Sequence, residues 1–426
     1  MIVDSHSINT IRNNLEIMAN NYDHVFWLDS CNQANPYGIG EYALLVGLGA
    51  KSELELTPID FSWGAVQEFI QSTEWRFFGL SYELKSKTNQ LESSNPSPFT
   101  WPLLSMVEPE IVVAIKRTGE IQLSGISLVT LTHPLSIEVP TDTSVTYDDI
   151  KSSMTKAEHQ EKVLQIKKEI AAGNMYEMNL CMSHELDNFH CNNPFQLYQQ
   201  LIHASPTPFS SYVKLKEKHV LCASPERYLS VQENTLFAQP IKGTSKRFQD
   251  ENKDAASRLH LANSIKERAE HIMIVDLVRN DLSKLCVAGS VRVEELFGIY
   301  GYKHVNQMIS TISGQLSDSF NFVDTLMATY PMGSMTGAPK YIVLKFIEAL
   351  ETSARGWYSG SIGYMEPNGN MDSNVVIRTL LYDGKQQSAS YSVGGAITFD
   401  SDPEQEYEEC LLKSKAIRLL LDANLR

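Results

Sequence analysis

No Cys-x-x-Cys pair occurs in this chain: its six cysteines stand apart, at positions 31, 181, 191, 222, 286 and 410. In 426 residues that scatter excludes a disulfide framework and a cysteine-rich zinc site, and it reads as reduced thiols filling a core. Basic residues are outnumbered as well, 36 Lys and Arg against 51 Asp and Glu, for a net charge of −15. A nucleic-acid surface is therefore not expected as the main function, and an anionic substrate would need cations gathered locally. No apolar run approaches the roughly 18 residues of a membrane span. The N-terminus, with Asp4 and polar neighbours, has no basic stretch leading into an apolar one. The expected location is cytoplasmic. Repeats, low-complexity tracts and a Gly-x-Cys-x-Gly nucleophile turn are absent too.

What is present is an ordinary globular composition, 42% apolar and 20% charged, in a chain too long for one small core. Strands are expected at His24–Leu28, Tyr42–Leu48, Ile111–Lys116 and Ile121–Thr130. Lys85–Thr100 reads as a loop, and Thr132–Asp149, with Pro134 and Pro140, as a connector. A boundary is expected near 150, giving regions 1–150 and 151–426 intertwined in one fold. Thr155 with Glu158 predicts a capping box, Val163, Ile166 and Ile170 an apolar stripe, and Gly173 a C-terminal cap. Further strands are expected at Tyr212–Lys216, Val220–Ala223, Tyr228–Val231, Ser359–Met365, Val375–Leu381 and Ser390–Ile397. Helices are expected over Ala262–Leu285 and Lys340–Leu350, and after Asp402-Pro403, where proline opens the first turn. The mixture predicts an α+β fold, with large antiparallel sheets packed in a sandwich and helices outside.

Several stretches carry potential chemistry. Pro240-Ile241-Lys242-Gly243-Thr244 sets a lysine between a rigid entry and a glycine that permits close approach. Alone it reads as a loop cation; in context it is an amine that a pocket could hold. Glu270 shares a helical face with Met273, Ile274 and Leu277, and a buried carboxylate there needs a compensating cation. Glu267 stands one turn earlier. Glu406, Glu409 and Lys413 share a face of the last helix, where acidic residues also complement the helix dipole. Two helices that each present Glu-x-x-Glu suit a hard divalent ion better than either does alone. Ser224-Pro225-Glu226-Arg227 places a carboxylate just after a strand. Gly333–Lys340 is a glycine-punctuated loop before a helix without the Gly-Lys-Ser/Thr ending of a phosphate loop, and Gly394-Gly395 is a second backbone site. His304 alone is more often structural than catalytic.

In their order these stretches, together with Asp276–Asp281 and Gly360-Ser361-Ile362-Gly363-Tyr364, resemble the chorismate-utilising enzyme family. That family comprises component I of anthranilate and aminodeoxychorismate synthases, with isochorismate and salicylate synthases. The resemblance runs from about 155 to 426 and implies the anthranilate synthase component I-like fold, chorismate as substrate and Mg²⁺ as cofactor. Anthranilate-forming members typically carry alanine where Lys242 stands, and aminodeoxychorismate-forming members carry lysine. The resemblance therefore implies 4-amino-4-deoxychorismate as product, on the route to para-aminobenzoate and folate. Lys242 would add at ring carbon 2 as the 4-hydroxyl leaves, and ammonia would add at carbon 4 and expel it, splitting one hard step into two. The resemblance further implies Glu226 as general acid and Glu270 and Glu409 as Mg²⁺ ligands, with Glu267 and Glu406 as outer partners. Thr244, Thr336, Tyr358, Arg378, Lys413 and the Gly394-Gly395 backbone would hold substrate oxygens, and His304 would lie near the ring. With no glutaminase turn in the chain, ammonia is expected from a separate glutamine amidotransferase or from solution.

Departures qualify the match. Glu177 stands where water-activating members carry lysine, which counts against water addition, and where an aminating member is expected to carry glutamine. Gln239 stands where arginine often precedes the pentapeptide. Trp27-Leu28-Asp29-Ser30 partly resembles the effector motif Leu-Leu-Glu-Ser of anthranilate synthase, which makes Trp27 and Ser30 candidate effector-site residues and region 1–150 the regulatory or partner-contacting part. Anthranilate synthase component I is the nearest rival. A non-catalytic chorismate-fold binding protein is the rival of another class. A pyridoxal-phosphate enzyme with Lys242 as Schiff base lacks a phosphate cup.

Overall fold

The computed structural model describes residues 5–133, 135, 142–317 and 321–426, so Pro134 and Pro140 of the expected connector lie outside the described residues. Two antiparallel sheets of eleven and ten strands dominate what is described. In the first, the path runs Gly337–Ala338, Glu177–Asp187, Ser388–Ile397, Thr379–Asp383, Lys218–Ser224, Phe209–Leu215, His24–Asp29, Tyr42–Leu48, Ile111–Lys116, Ile121–Ser124. In the second it runs Ile241–Lys246, Val305–Gln315, Thr235–Gln239, Arg227–Gln232, Met371–Asn374, Ser361–Met365, Arg76–Leu80, Leu104–Glu108, Ser52–Leu56. Strands from before and after residue 150 thus share both sheets.

The α+β sandwich forms as expected. Phe26, Leu45 and Val213 of the first sheet meet Phe77, Val107 and Ile362 of the second in a common buried cluster, with the Phe26 and Phe77 rings 5.4 Å apart. Helices cover the outer faces. Ser5–Asn21 and Pro194–Ala204 press on the first sheet through Ile11, Leu15, Phe195 and Tyr198. Ile265–Ser283 and Phe322–Thr329 join the cluster beneath the second through Val275, Leu282, Phe322 and Leu326. Among the described residues no helix is long and apolar enough to cross a membrane.

Local signals were strongest at caps. The Thr155 hydroxyl accepts from Glu158 N, and Thr155 N donates back to Glu158, over the helix Lys156–Ala171. Asp402 caps Pro403–Asn424 through Glu404 N and Gln405 N. Four expectations changed. The helix Ser5–Asn21 stands where only strands and loops were read; Ile11, Leu15 and Ala19, each four residues apart, bury its one apolar stripe. The Ile121–Thr130 strand stops at Ser124, because Ser127 caps a short helix, Leu128–Thr132. Lys85, expected in a loop, begins the short helix Lys85–Thr88 and is buried between Glu83 and Glu348. The helix expected over Ala262–Leu285 is two, Glu251–Asn263 and Ile265–Ser283: Ser264 leaves the helical region at ψ 114° and its hydroxyl accepts from Glu267 N. That break starts a fresh helix whose first turn carries Glu267.

Candidate active site

The site lies where two neighbouring segments change sheets. Lys218–Ser224 belongs to the first sheet and Arg227–Gln232 to the second, leaving Pro225-Glu226 in the step; Met371–Asn374 and Thr379–Asp383 make the reverse step around Arg378. The steps are tied, Val375 N donating to Glu226 O at 3.0 Å and Ala223 N to Arg378 O at 3.2 Å. The strand expected over Val375–Leu381 therefore begins only at Thr379, since Arg378 turns with φ 53°. Burial pushes the Glu226 carboxyl up to about 7, although the Ser334 hydroxyl and the cations Lys242, Lys413 and Arg378 oppose it. Burial also lowers the pKa of Arg378, against the pull of Glu226. Glu226, Pro240, Gly333 and Ser334 line a common pocket.

Lys242 sits on the edge strand Ile241–Lys246, where Ile241 faces Ile309, Thr244 faces Gln307, and the register slips between them. Gly243 allows the slip. Its φ is +82°, which a side chain rarely adopts, and a Cβ there would stand 2.9 Å from Glu267 Oε2 and displace that carboxylate. Lys242 Nζ donates to Glu177 Oε1 at 2.5 Å, the two side chains being 11% and 0% exposed. Glu177 Oε2 is buried and has no hydrogen-bond partner among the described residues. His271, wholly buried, packs nearby with Nε2 2.7 Å from Ser310 Oγ, and burial brings its pKa down to about 4.

The two acidic helices close the site. Burial raises the Glu270 carboxyl to about 7, against Lys266 and Lys242, with Glu177 and Glu267 adding to the rise. Thr398 Oγ1 donates to Glu270 Oε1 at 3.2 Å, and Lys266 Nζ stands 3.9 Å away. Glu267 and Glu406 are raised for the same first reason, burial, and both sense Glu409. Glu409 alone is lowered, by the Lys413 ammonium 2.8 Å away. Burial pulls Lys413 down, but Glu409 outweighs it and leaves the pKa raised; the ammonium also donates to Gly394 O at 2.7 Å. A Cβ on Gly395 would lie 3.2 Å from Glu406 Oε2, so the acidic turn rests directly on the strand. Among the described residues no three His, Cys, Asp or Glu side chains converge as a ready metal-ligating group.

The other candidates are distributed differently. Thr244 is exposed beside the site. The Thr336 hydroxyl is turned inward onto Met332 O and Gly333 O. Tyr358 is buried against Cys181 and Arg355, with Cys410 nearby. His304 is exposed at the far end of the strand pair, Nε2 3.0 Å from Ala204 O, beyond the Lys246–Val305 rung. Trp27 points into the core, edge-on to Phe195, while Ser30 lines a separate cavity with Asn35, Tyr42, Pro208 and Asp372. Arg227 joins the two regions: it follows Glu226 and holds Asp372 through two hydrogen bonds of 2.8 and 2.7 Å. Sequence reasoning missed Lys266 and His271, and it had Ser334 only as part of the Gly333–Lys340 loop, without a role. Only their position next to singled-out residues could have flagged them.

An acid held near neutrality, a buried amine and opposed carboxylates at the seam of a two-sheet sandwich define an enzyme-like cleft. The chain belongs to the family of chorismate binding enzymes, whose model matches residues 23–419. It is 39% identical to aminodeoxychorismate synthase component 1 of Escherichia coli over 63% of this chain, a match spanning 58% of that relative's length. It is 31% identical to anthranilate synthase component 1 of Saccharolobus solfataricus over 80% of this chain and 78% of that one. The crystal structure of anthranilate synthase component I from Streptococcus pneumoniae has the same fold, with a TM-score of 0.77 at 23% identity, covering 90% of this chain and 94% of that one.

Proposed function

We propose that the protein is the synthase component that converts chorismate and ammonia into 4-amino-4-deoxychorismate, on the way to para-aminobenzoate and folate. The observation that carries the reading is Lys242, a nearly buried primary amine in the same cleft as Glu226. An amine there can add to ring carbon 2 as the 4-hydroxyl departs, and Glu226, protonated near neutral pH, can supply the proton that the hydroxyl needs to leave as water. Ammonia then adds at carbon 4 and the lysine is expelled. Arg378, Lys413, Thr244 and the Gly394-Gly395 backbone would hold the substrate's carboxylates and oxygens. The second reading, anthranilate formation, has support in the Saccharolobus relative, but it aminates carbon 2, the position that Lys242 would occupy.

The acidic pair of helices suits Mg²⁺. Their donors are hard carboxylate oxygens, and burial and mutual repulsion raise three of the four pKa values, a cost that a divalent cation relieves. Glu270 and Glu409 would hold the ion, with Glu267 and Glu406 beside them. When bound, it supplies positive charge for the substrate's ring carboxylate. Ammonia would come from a glutamine amidotransferase partner in the cytoplasm, and the Ser30 cavity, which both regions line, would take an effector.

The test is product identification after incubation with chorismate, Mg²⁺ and ammonium, with wild type beside Lys242→Ala. Wild type is expected to give the carbon-4 amine and, without ammonia, a chorismate-derived adduct on the peptide that contains Lys242. Lys242→Ala should lose carbon-4 amination, with traces of carbon-2 product as ammonia enters the vacated space. Undiminished carbon-4 amination by the variant would refute the nucleophile.

A further inference from the structure

We propose that Glu177 is the proton acceptor for Lys242, taking the ammonium proton as the amine attacks and returning it when the amine leaves. This rests on the covalent reading above and gives the carboxylate at position 177 a task. Three observations carry it. Glu177 Oε1 is the hydrogen-bond acceptor of the Lys242 ammonium, at 2.5 Å, so the transfer needs no intervening water. The carboxylate is wholly buried and its second oxygen lacks a partner among the described residues, so no further hydrogen bond competes with the lysine for it. Its backbone, by contrast, is fixed: Glu177 pairs with Ala338, and Tyr176 N donates to Ala338 O at 2.8 Å. The acceptor is therefore positioned rigidly, with one oxygen on the lysine and the other open to a further contact.

The protons balance. In the first displacement Lys242 gives one proton to Glu177, its nitrogen bonds to ring carbon 2, both conjugated double bonds of the ring shift by one bond toward carbon 4, and the carbon 4–oxygen bond breaks. The oxygen leaves as water with the proton of Glu226. The adduct is a secondary ammonium, Glu177 is a carboxylic acid and Glu226 a carboxylate. In the second, ammonia bonds to carbon 4, both double bonds shift back, the carbon 2–nitrogen bond breaks, and Lys242 leaves as a neutral amine. It recovers its proton from Glu177, and the new ammonium at carbon 4 gives one to Glu226. Both carboxyl groups return to their starting states with no outside acid or base.

Other charges bear on this pair and must be counted in any pH profile. Glu226, Glu267, Glu270 and Glu409 all sense Lys242, as does His271, and Glu270 also senses Glu177. Lys266 and Lys413 lie among those acids. Glu226 must hold its proton in the first half-reaction and its pKa is raised to about 7, so the acceptor is read in that half-reaction on the limb below pH 7.

The experiment follows adduct formation on Lys242 by rapid quench and peptide mass spectrometry, with chorismate and Mg²⁺ but no ammonia. Glu177→Gln should bind chorismate as wild type does and form the adduct on the order of 10²-fold or more slowly, the usual range for a lost general base. Below pH 7, where Glu226 keeps its proton, its rate should climb with pH as solvent base takes over, more steeply than that of wild type. Glu177→Ala with added formate should recover part of the loss, a result that a merely structural carboxylate would not give. Adduct formation by Glu177→Gln within threefold of wild type, with an unchanged pH profile, would overturn the proposal. If Lys242→Ala keeps carbon-4 amination, the covalent reading itself fails; if that variant is dead and Glu177→Gln is fully active, only the acceptor role falls.

Discussion

The strand Glu177–Asp187 serves two buried ion pairs that differ in how fully they are satisfied. At its start Glu177 holds Lys242 with one oxygen and leaves the other without a partner among the described residues. Two and four residues on, Asn179 O and Cys181 N join the pair of Arg355 and Glu351. There Nε and Nη2 of Arg355 reach both Glu351 oxygens at 2.9 and 2.6 Å, Nη1 reaches Met335 O at 2.6 Å, and Nη2 also reaches Asn179 O at 3.1 Å. Cys181 N donates to Glu351 Oε1 at 2.9 Å, and the guanidinium lies over the Tyr82 ring. A pair with every group engaged has no capacity left for a proton or a ligand, so it fixes geometry. A pair left half engaged in the same interior keeps such capacity, and it is the one that faces the acids of the cleft.

The comparison is sharpest where substitutions should separate activity from stability. Glu270→Gln or Glu409→Gln is expected to abolish turnover while the fold survives, because each removes charge from a site suited to a divalent ion. EDTA should stop the wild-type reaction and Mg²⁺ restore it. Normal turnover by either variant at wild-type magnesium would remove the acidic helices from the chemistry.

Glu226→Gln should keep chorismate binding and lose roughly 10²–10⁴-fold in turnover, since the amide cannot protonate the leaving hydroxyl. A loss under tenfold, with chemistry rate-limiting, would make Glu226 a structural carboxyl. Stability should move the other way. The folded pKa of Glu226, about 7, lies above its ordinary value of 4.5. Its neutral form therefore favours the fold fully below pH 4.5, and that contribution fades as pH rises through 7. In metal-free buffer the variant should gain on wild type between pH 4.5 and 8, by on the order of 3 kcal/mol in denaturant unfolding.

The scaffold pair should show the reverse signature. Glu351→Ala strands a buried guanidinium and should cost about 3–5 kcal/mol of stability, seen as a lower denaturation midpoint. Its effect on the pH profile of whatever enzyme remains folded should be the smallest of the set. A pH profile altered as much as by a change at Glu226 would erase the distinction between the two ends of the strand.

Much of this was legible because its causes are local. A capping box needs residues three apart, and Thr155–Glu158 formed one; Pro403 opened its helix by fixing one dihedral angle. The antiparallel sandwich followed from the mixture of short strands and amphipathic helices. The helix Ser5–Asn21 was obscured by a sequence rich in asparagine, a weak helix former, and it owes its place to what Ile11, Leu15 and Ala19 bury rather than to propensity. A single hydroxyl at Ser264 divided another helix that apolar periodicity had run together.

The sequence by itself determined which chemical groups the protein has and the order in which they come: a lysine beside a glycine, a carboxyl after a strand, two acidic helices. Only the tertiary structure decided which of them meet. Lys242 finds its acceptor 65 positions away, Glu226 and Arg378 become neighbours because two segments change sheets together, and His304 is carried to the opposite end of its ladder. The reason is physical. Helix caps and turns are settled by torsions and hydrogen bonds among adjacent residues, whereas the state of a buried charge depends on how much water the whole fold removes from it and on which opposite charge remains within reach.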